Sequence, residues 1–293
     1  MNEFREGIWP ENYKFALGLS HDVDETKKTY QYLTHFLKTL RTYHLLSLFQ
    51  VQEPYWNFEK IMELEEKYKV RSTFFFLHET KRFTFRHARE ILATLNKASF
   101  REEKVAEMIQ VLDKKNWEIG LHGSYNSYKD KELMREEKRL LEEIVGHPVL
   151  GVRQHYLNLQ IPQTWQIQRE LGFHYDASYG SNRDIGFLDN KYFPFRPFQD
   201  DFVVIPLVLM DYCLFSKFRF FKERLKHCRE LIEFIREKGG VMVILWHLRV
   251  FNEDEFPGAK NIYEEIIKIG LDQGGWVTSL NQIVEWWRAH ATI

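Results

Sequence analysis

"FALGLSHDVDET", Phe15 to Thr26, decides how the rest of the chain is read. It opens as an apolar strand and then breaks into His21, Asp22, Val23 and Asp24. Two carboxylates and an imidazole at the end of a buried strand are costly unless something pairs with them. Residues i and i+2 of an extended chain share a side. Asp22 and Asp24 therefore face one way and Val23 the other. Two like charges that close need a cation, or one of them takes up a proton. A divalent metal resolves the conflict. The plainer alternative is an aspartate ahead of "ETKKTYQYL" capping a helix.

The same pattern of an apolar run with a polar end recurs along the chain. The runs are "KFALGLS", "RSTFFFL", "WEIGLH", "VLGVRQHY", "FVVIPLVLM", "VMVILWH" and "WVTSL". Charged helical stretches alternate with them: Ile61 to Tyr68, Phe100 to Lys115, Asp130 to Ile144, Phe221 to Lys238 and Ile262 to Gln273. Strands alternating with helices imply βαβ units around a parallel sheet. Their even spread favours one α/β barrel over two domains, so 1–293 reads as a single domain. Residues around 25–60 contain no clean strand and are expected to hold a helical or loop elaboration.

Composition narrows the class. The chain has 293 residues, 44% of them hydrophobic, enough for a large core. Lysine and arginine number 41 against 42 acidic residues, so no basic field favours nucleic acid. Aromatics reach a high 16%; most are expected in the core, and some are candidates for stacking on sugar rings. Cys213 and Cys228 form neither a disulfide framework nor a metal-spaced cluster. The opening "MNEFREGIWPENYKF" lacks the charged and apolar regions of a secretory signal, and no apolar run is long enough to span a bilayer. The expectation is a cytoplasmic protein without stable membrane insertion. "GLSHDVDE" lacks the glycine spacing of a phosphate-binding loop or dinucleotide fingerprint, and no Gly-x-Ser-x-Gly elbow occurs.

In parallel barrels the active site is built at the C-terminal ends of the strands. His122 in "EIGLHGS", Arg153 and His155 in "GVRQHY", and His247 in "VILWHLR" all sit at such ends, like Asp22 and Asp24. His122 and His155 suit a late first-row metal, or each is a core histidine bonded to backbone. Arg153 can hold a carboxylate with its two-pronged guanidinium, or make an ordinary surface pair. His247 has the titration range of a general acid or base. Asp176 in "FHYDASYG" is the type of residue that orients such a histidine; otherwise it is a turn residue.

Taken in order, "LSHDVD", "STFFFL", "EIGLHGSYNS", "VRQHY", "GFHYDASYG" and "VILWH" resemble the polysaccharide deacetylase family, the NodB-homology carbohydrate esterases. The likeness runs from about Phe15 to the C-terminus. The segment from "YDASYG" to "VVIPLVLMD" is similar to a D-x-D subgroup associated with bacterial surface-polysaccharide genes. The resemblance implies a distorted (β/α)7 barrel and removal of an acetyl group from a sugar by water activated on a divalent metal, zinc first, then cobalt or nickel. It makes Asp22 the general base, Asp24 and His122 metal ligands, Arg153 the residue that orients the base, and His247 the catalytic acid tuned by Asp176. The family's second motif is usually H-[ST]-x-x-H, and here its second histidine is replaced by Asn126. Asn126, His155 or a water is left to complete the metal shell. Tyr125, Tyr156 and Trp246 are candidates for stacking on the sugar, with core packing the alternative for each.

The expected partner is thus a carbohydrate, a surface-polysaccharide precursor with an N-linked rather than O-linked acetyl group. Two other readings follow from Asn126: a metal-independent amide hydrolase of the same fold, and an inactive glycan-binding barrel.

Overall fold

The structure is a computed structural model and describes residues 8–50, 52–79 and 99–291; part of the opening segment read above, 1–7, lies outside them. The strands are β1 (Phe15–Val23), β2 (Thr73–Leu77), β3 (Glu118–Gly123), β4 (Gly151–Gln154), β5 (Tyr175–Asp176), β6 (Val203–Val204), β7 (Leu207–Met210), β8 (Val241–Leu245) and β9 (Gly275–Thr278). The 25–60 region holds α1 (Gln31–Thr39) and α2 (Tyr43–Leu46), then α3 (Phe58–Lys67) begins. The remaining helices are α4 (Glu103–Lys114), α5 (Lys131–Val145), α6 (Gln163–Glu170), α7 (Asp211–Lys217), α8 (Phe221–Lys238), α9 (Ala259–Asp272) and α10 (Leu280–His290). Local chemistry fixes some boundaries: the Asp130 carboxylate accepts from the Leu133 N–H at 3.1 Å and starts α5, and Gly146 at φ +80° ends it. Asp24 caps no helix, because α1 begins seven residues later at Gln31.

The strands pair in the order β6-β5-β4-β3-β2-β1-β8-β7, with β9 added to β1, and every ladder is parallel. β1 is the axis. It gives one edge to β8 along Ala16–Ser20; the other edge serves β9 at Phe15–Gly18 and β2 at Ser20–Val23. The two ends of the order, β6 and β7, are joined by Ile205-Pro206 alone. Two residues span only about 7 Å, so the sheet must curl until its edges approach. No β6–β7 ladder closes it. Pro206 has no N–H to give, and irregular bonds fill the gap, Ile205 N–H to the Asp176 carbonyl and Leu207 N–H to the Tyr179 carbonyl, both 2.9 Å. The single run "FVVIPLVLM" is therefore two strands, and the expected seven-strand barrel is an open, distorted barrel with extra short strands.

Strand parity divides the core into two layers. Phe15, Leu17, Leu19, Phe74, Phe76, Ile244 and Trp246 pack outward against the helices. Ala16, Phe75, Tyr175, Val243 and Leu245 pack inward with Leu280, Ile283 and Val284 of α10. This helix plugs the barrel at the N-terminal end of β1: a Cβ on Gly18 would lie 2.5 Å from Leu280 Cδ2. The plug leaves only the C-terminal ends of the strands open. No described helix is long and apolar enough to cross a membrane.

Candidate active site

A cavity of about 650 Å³ opens at those C-terminal ends, lined by Asp22, Asp24, His122, His155, Tyr156 and His247 among others. On β1, Ala16, Gly18 and Ser20 lead by parity to an inward Asp22. His21 points the other way, into the helical layer, where its ring meets the Trp246 carbonyl at 2.7 Å and the Glu65 carboxylate at 3.1 Å.

Asp22 is held from behind. Arg153 Nη1 donates to Asp22 Oδ1 at 2.8 Å, Arg153 Nε donates to the Ala177 carbonyl at 3.0 Å, and the guanidinium lies 4.5 Å from the Phe75 ring centre. Both partners are buried. Burial alone would raise the Asp22 pKa, but His122, Arg153 and His247 together hold it below the usual carboxylate range. The carboxylate thus stays ionised and available to take a proton.

Asp24 is partly buried, which favours the neutral acid; His247, Arg249, His155 and His122 outweigh this and lower its pKa. Its Oδ2 lies 4.0 Å from His247 Nε2. His122 Nδ1 lies 3.0 Å from the Arg153 carbonyl, which can only accept. That bond commits Nδ1 as the donor and turns Nε2 toward the cavity, 3.7 Å from Asp22 Oδ2.

His247 is gripped by Asp211, the first residue of α7. Its ring Nδ1 lies 2.9 and 3.0 Å from the two Asp211 oxygens, and its backbone N–H donates to Oδ2 at 2.6 Å. Burial would lower the imidazole pKa, but the Asp211 charge and hydrogen bond, with Asp24 behind them, raise it to about 9. At neutral pH the ring carries its second proton on Nε2, at the cavity.

Four expectations need correction. Asp176 does not meet His247. It follows the inward Tyr175, so parity turns it outward, where its carboxylate accepts from Gln168 Nε2 at 2.8 Å, Ser178 Oγ at 2.7 Å and Trp165 Nε1 at 3.3 Å. Trp246 does not reach the cavity. It is fully buried in the helical layer, 5.9 Å from the Tyr263 ring, because it alternates with the inward His247. Asn126 and Tyr125 are not among the cavity-lining residues; Tyr125 instead packs edge-on against Tyr156 at 5.7 Å.

The sequence reading missed Asp211, although "LVLMD" has the same apolar run with a polar end. It also missed Arg249 and Glu25, which line the cavity and pair at 2.7 Å.

The implied divalent metal can be tested on the donor set. His122 has a free Nε2, and His155 has a buried Nδ1 without a hydrogen-bond partner. Burial above all, helped by His122, pushes His155 down to about 3, so it is a neutral imidazole. The His122 and His155 imidazoles with the Asp24 carboxylate are donor types that suit zinc or a similar ion. Among the described residues a tighter donor group lies elsewhere: ligand atoms of His35, His44 and Glu255 are all within 4.8 Å of one another. That group already holds a cation. Lys28 Nζ is buried there, 2.7 Å from Glu255 Oε2 and 3.1 Å from His44 Nδ1.

The fold has solved counterparts. A protein assigned as a polysaccharide deacetylase from Mycobacterium smegmatis superposes with a TM-score of 0.65 at 19% identity, over 97% of this chain and 94% of that one. Another so assigned, from Pseudomonas aeruginosa PAO1, gives 0.65 at 17% identity over 100% and 97% of the two chains. No family model matches the sequence, and neither does any curated protein. At such identities the likeness is one of fold: this chain has the polysaccharide deacetylase fold.

Proposed function

We propose that the chain is a metal-dependent deacetylase that hydrolyses an N-linked acetyl group on a sugar of a surface-polysaccharide precursor. The observation that carries this reading is the pairing of opposites across one cavity: Asp22 kept ionised by Arg153, and His247 kept protonated by Asp211. Titratable groups whose environments drive their pKa values apart divide the work of base and acid.

Asp24, His122 and His155 would hold the metal, and the bound ion would polarise the acetyl carbonyl and acidify a water. The chain's own residues do the rest. Asp22 takes a proton from the attacking water, and Arg153 holds the carboxylate oriented. His247 gives its Nε2 proton to the departing nitrogen, and Asp211 keeps the ring turned and charged. A leaving amine needs that proton more than an alkoxide does, which favours the N-acetyl substrate. Tyr156, 40% exposed at the cavity, offers a ring face to the sugar.

The test combines metal analysis with turnover. The purified protein is expected to carry one zinc, cobalt or nickel equivalent that is lost in His122→Ala, and to release acetate from N-acetylated oligosaccharides in a chelator-sensitive way. Release that survives exhaustive chelation would instead support a metal-independent hydrolase. Saturable glycan binding with no release from any substrate would support a binding barrel.

A further inference from the structure

One face of α1 forms a wall of the catalytic cavity that the proposed acid–base chemistry does not use. Thr34, His35 and Lys38 follow Gln31 by three, four and seven residues, so all four share a face, and all four line the cavity. His35 is held from outside it. Its Nδ1 lies 2.5 Å from Glu255 Oε1, and that buried carboxylate is fixed in turn by Lys28 Nζ at 2.7 Å and the Tyr55 hydroxyl at 3.0 Å. The ring's Nε2 has no partner among the described residues. Gln31 Nε2 donates to Glu25 Oε1 at 2.9 Å, and Glu25 Oε2 accepts from Arg249 Nη1 at 2.7 Å. Among the described residues nothing else bonds the Arg249 guanidinium, which also lines the cavity, so its Nε and Nη2 are left for a ligand.

The charges around the cavity do not balance. Its three carboxylates are all engaged: Asp22 by Arg153, Glu25 by Arg249 and Gln31, and Asp24 by the metal in the proposed chemistry. Lys38 and Arg183 line the same cavity, and neither meets a carboxylate among the described residues. No acidic residue falls between Glu25 and Glu53, so α1 offers Lys38 none of its own, and Asp184 beside Arg183 is taken by Lys217. A neutral sugar would give these cations nothing to pair with. An anionic one would complete them through charge-assisted hydrogen bonds.

We propose that the α1 wall and Arg249 form an anion subsite, and that the substrate sugar carries a carboxylate or phosphate group besides its acetyl group. This step rests on the proposed function and names the charge class of its substrate. Arg249 takes the anion through Nε and Nη2, the two-pronged edge that Glu25 leaves open. Lys38 adds a second charge from the end of α1, and His35 Nε2 meets a hydroxyl of the same sugar. Glu25 and Glu255 are positioning residues that hold Arg249 and His35 in place. Arg249 follows the acid His247 by two residues, so the subsite adjoins the reacting centre.

The experiment is isothermal titration of the purified full chain with N-acetylglucosamine 1-phosphate, with N-acetylglucosaminuronate and with neutral N-acetylglucosamine. The phosphate or the carboxylate sugar is expected to bind about tenfold or more tighter than the neutral one, and whichever does so identifies the anion. The advantage should shrink as salt rises. Lys38→Ala and Arg249→Gln should each reduce it severalfold with circular dichroism unchanged, and the double variant should abolish it. Equal affinity for all three sugars overturns the inference. So does an advantage that both variants retain, which would put the anion on the metal instead. Acetate release on the same samples reads the parent proposal separately. Release with equal kcat/KM from neutral and anionic sugars keeps the deacetylase and overturns the subsite, whereas anion-selective binding without release from any sugar keeps the subsite and overturns the deacetylase.

Discussion

Asp211 and His247 are joined at two points, through the ring Nδ1 at 2.9 Å and through the backbone N–H at 2.6 Å. A single carboxylate thereby fixes both the rotation of the imidazole and the position of its chain. Asp211→Asn keeps the shape but removes the charge that raises the His247 pKa. Acetate release is expected to fall by about 10²–10⁴-fold, the range for losing a positioned general acid. Asp176→Asn should instead lower stability by about 1–3 kcal/mol through its buried bonds and leave the pH profile unmoved. Steady-state kinetics beside urea denaturation separates the two; equal kinetic losses would return the orienting role to Asp176.

The His247 value of about 9, above the ordinary 6.5, has a definite sign. A folded pKa above the unfolded one adds stability that is full below about pH 6.5 and is lost as pH rises through 9. Activity that needs the protonated ring should likewise decline on the alkaline side, and Asp211→Asn should move that limb to lower pH. Rate profiles from neutral to strongly alkaline pH give the answer. An alkaline limb that Asp211→Asn leaves in place would assign it to another group.

Arg153 and Asp22 are a buried pair, so removing one partner strands the other. Arg153→Ala is expected to cost about 3–5 kcal/mol. It should also raise the Asp22 pKa, so that the acid limb of activity moves up in pH. Thermal melts of Arg153→Ala, Asp22→Asn and the double variant check this. The double should lose less than the sum of the singles, because it leaves no unpaired charge.

Gly18 lies where α10 enters the barrel, with the added Cβ 2.5 Å from Leu280 Cδ2. Gly18→Ala should destabilise by about 1–3 kcal/mol through overpacking. Leu280→Ala in the same chain should recover part of that loss in a urea titration. An additive double variant would mean that the helix yields without strain.

Local sequence determined a good deal here. The alternation of apolar runs with charged helices specified a parallel α/β barrel. The polar residues after those runs marked the end at which the cavity opens, because a strand buried on both faces places such groups only where it ends. Asp22, Asp24, His122, His155 and His247 were legible on that ground, and the Asp22–Asp24 parity followed from the two-residue repeat of an extended chain. The same repeat could have excluded Asp176 and Trp246, each one step out of phase with the inward set.

Tertiary structure alone decided the partners. Asp211 lies 36 residues from His247 and meets it because β7 and β8 are neighbours in the sheet. Arg153 reaches Asp22 across 131 residues because β4 and β1 curve around one interior. The donor groups of His35, His44 and Glu255 look like a metal site until Lys28 is found among them. A strand pattern states which way a side chain faces, but curvature and strand order, set by the packing of the whole sheet, state what it faces.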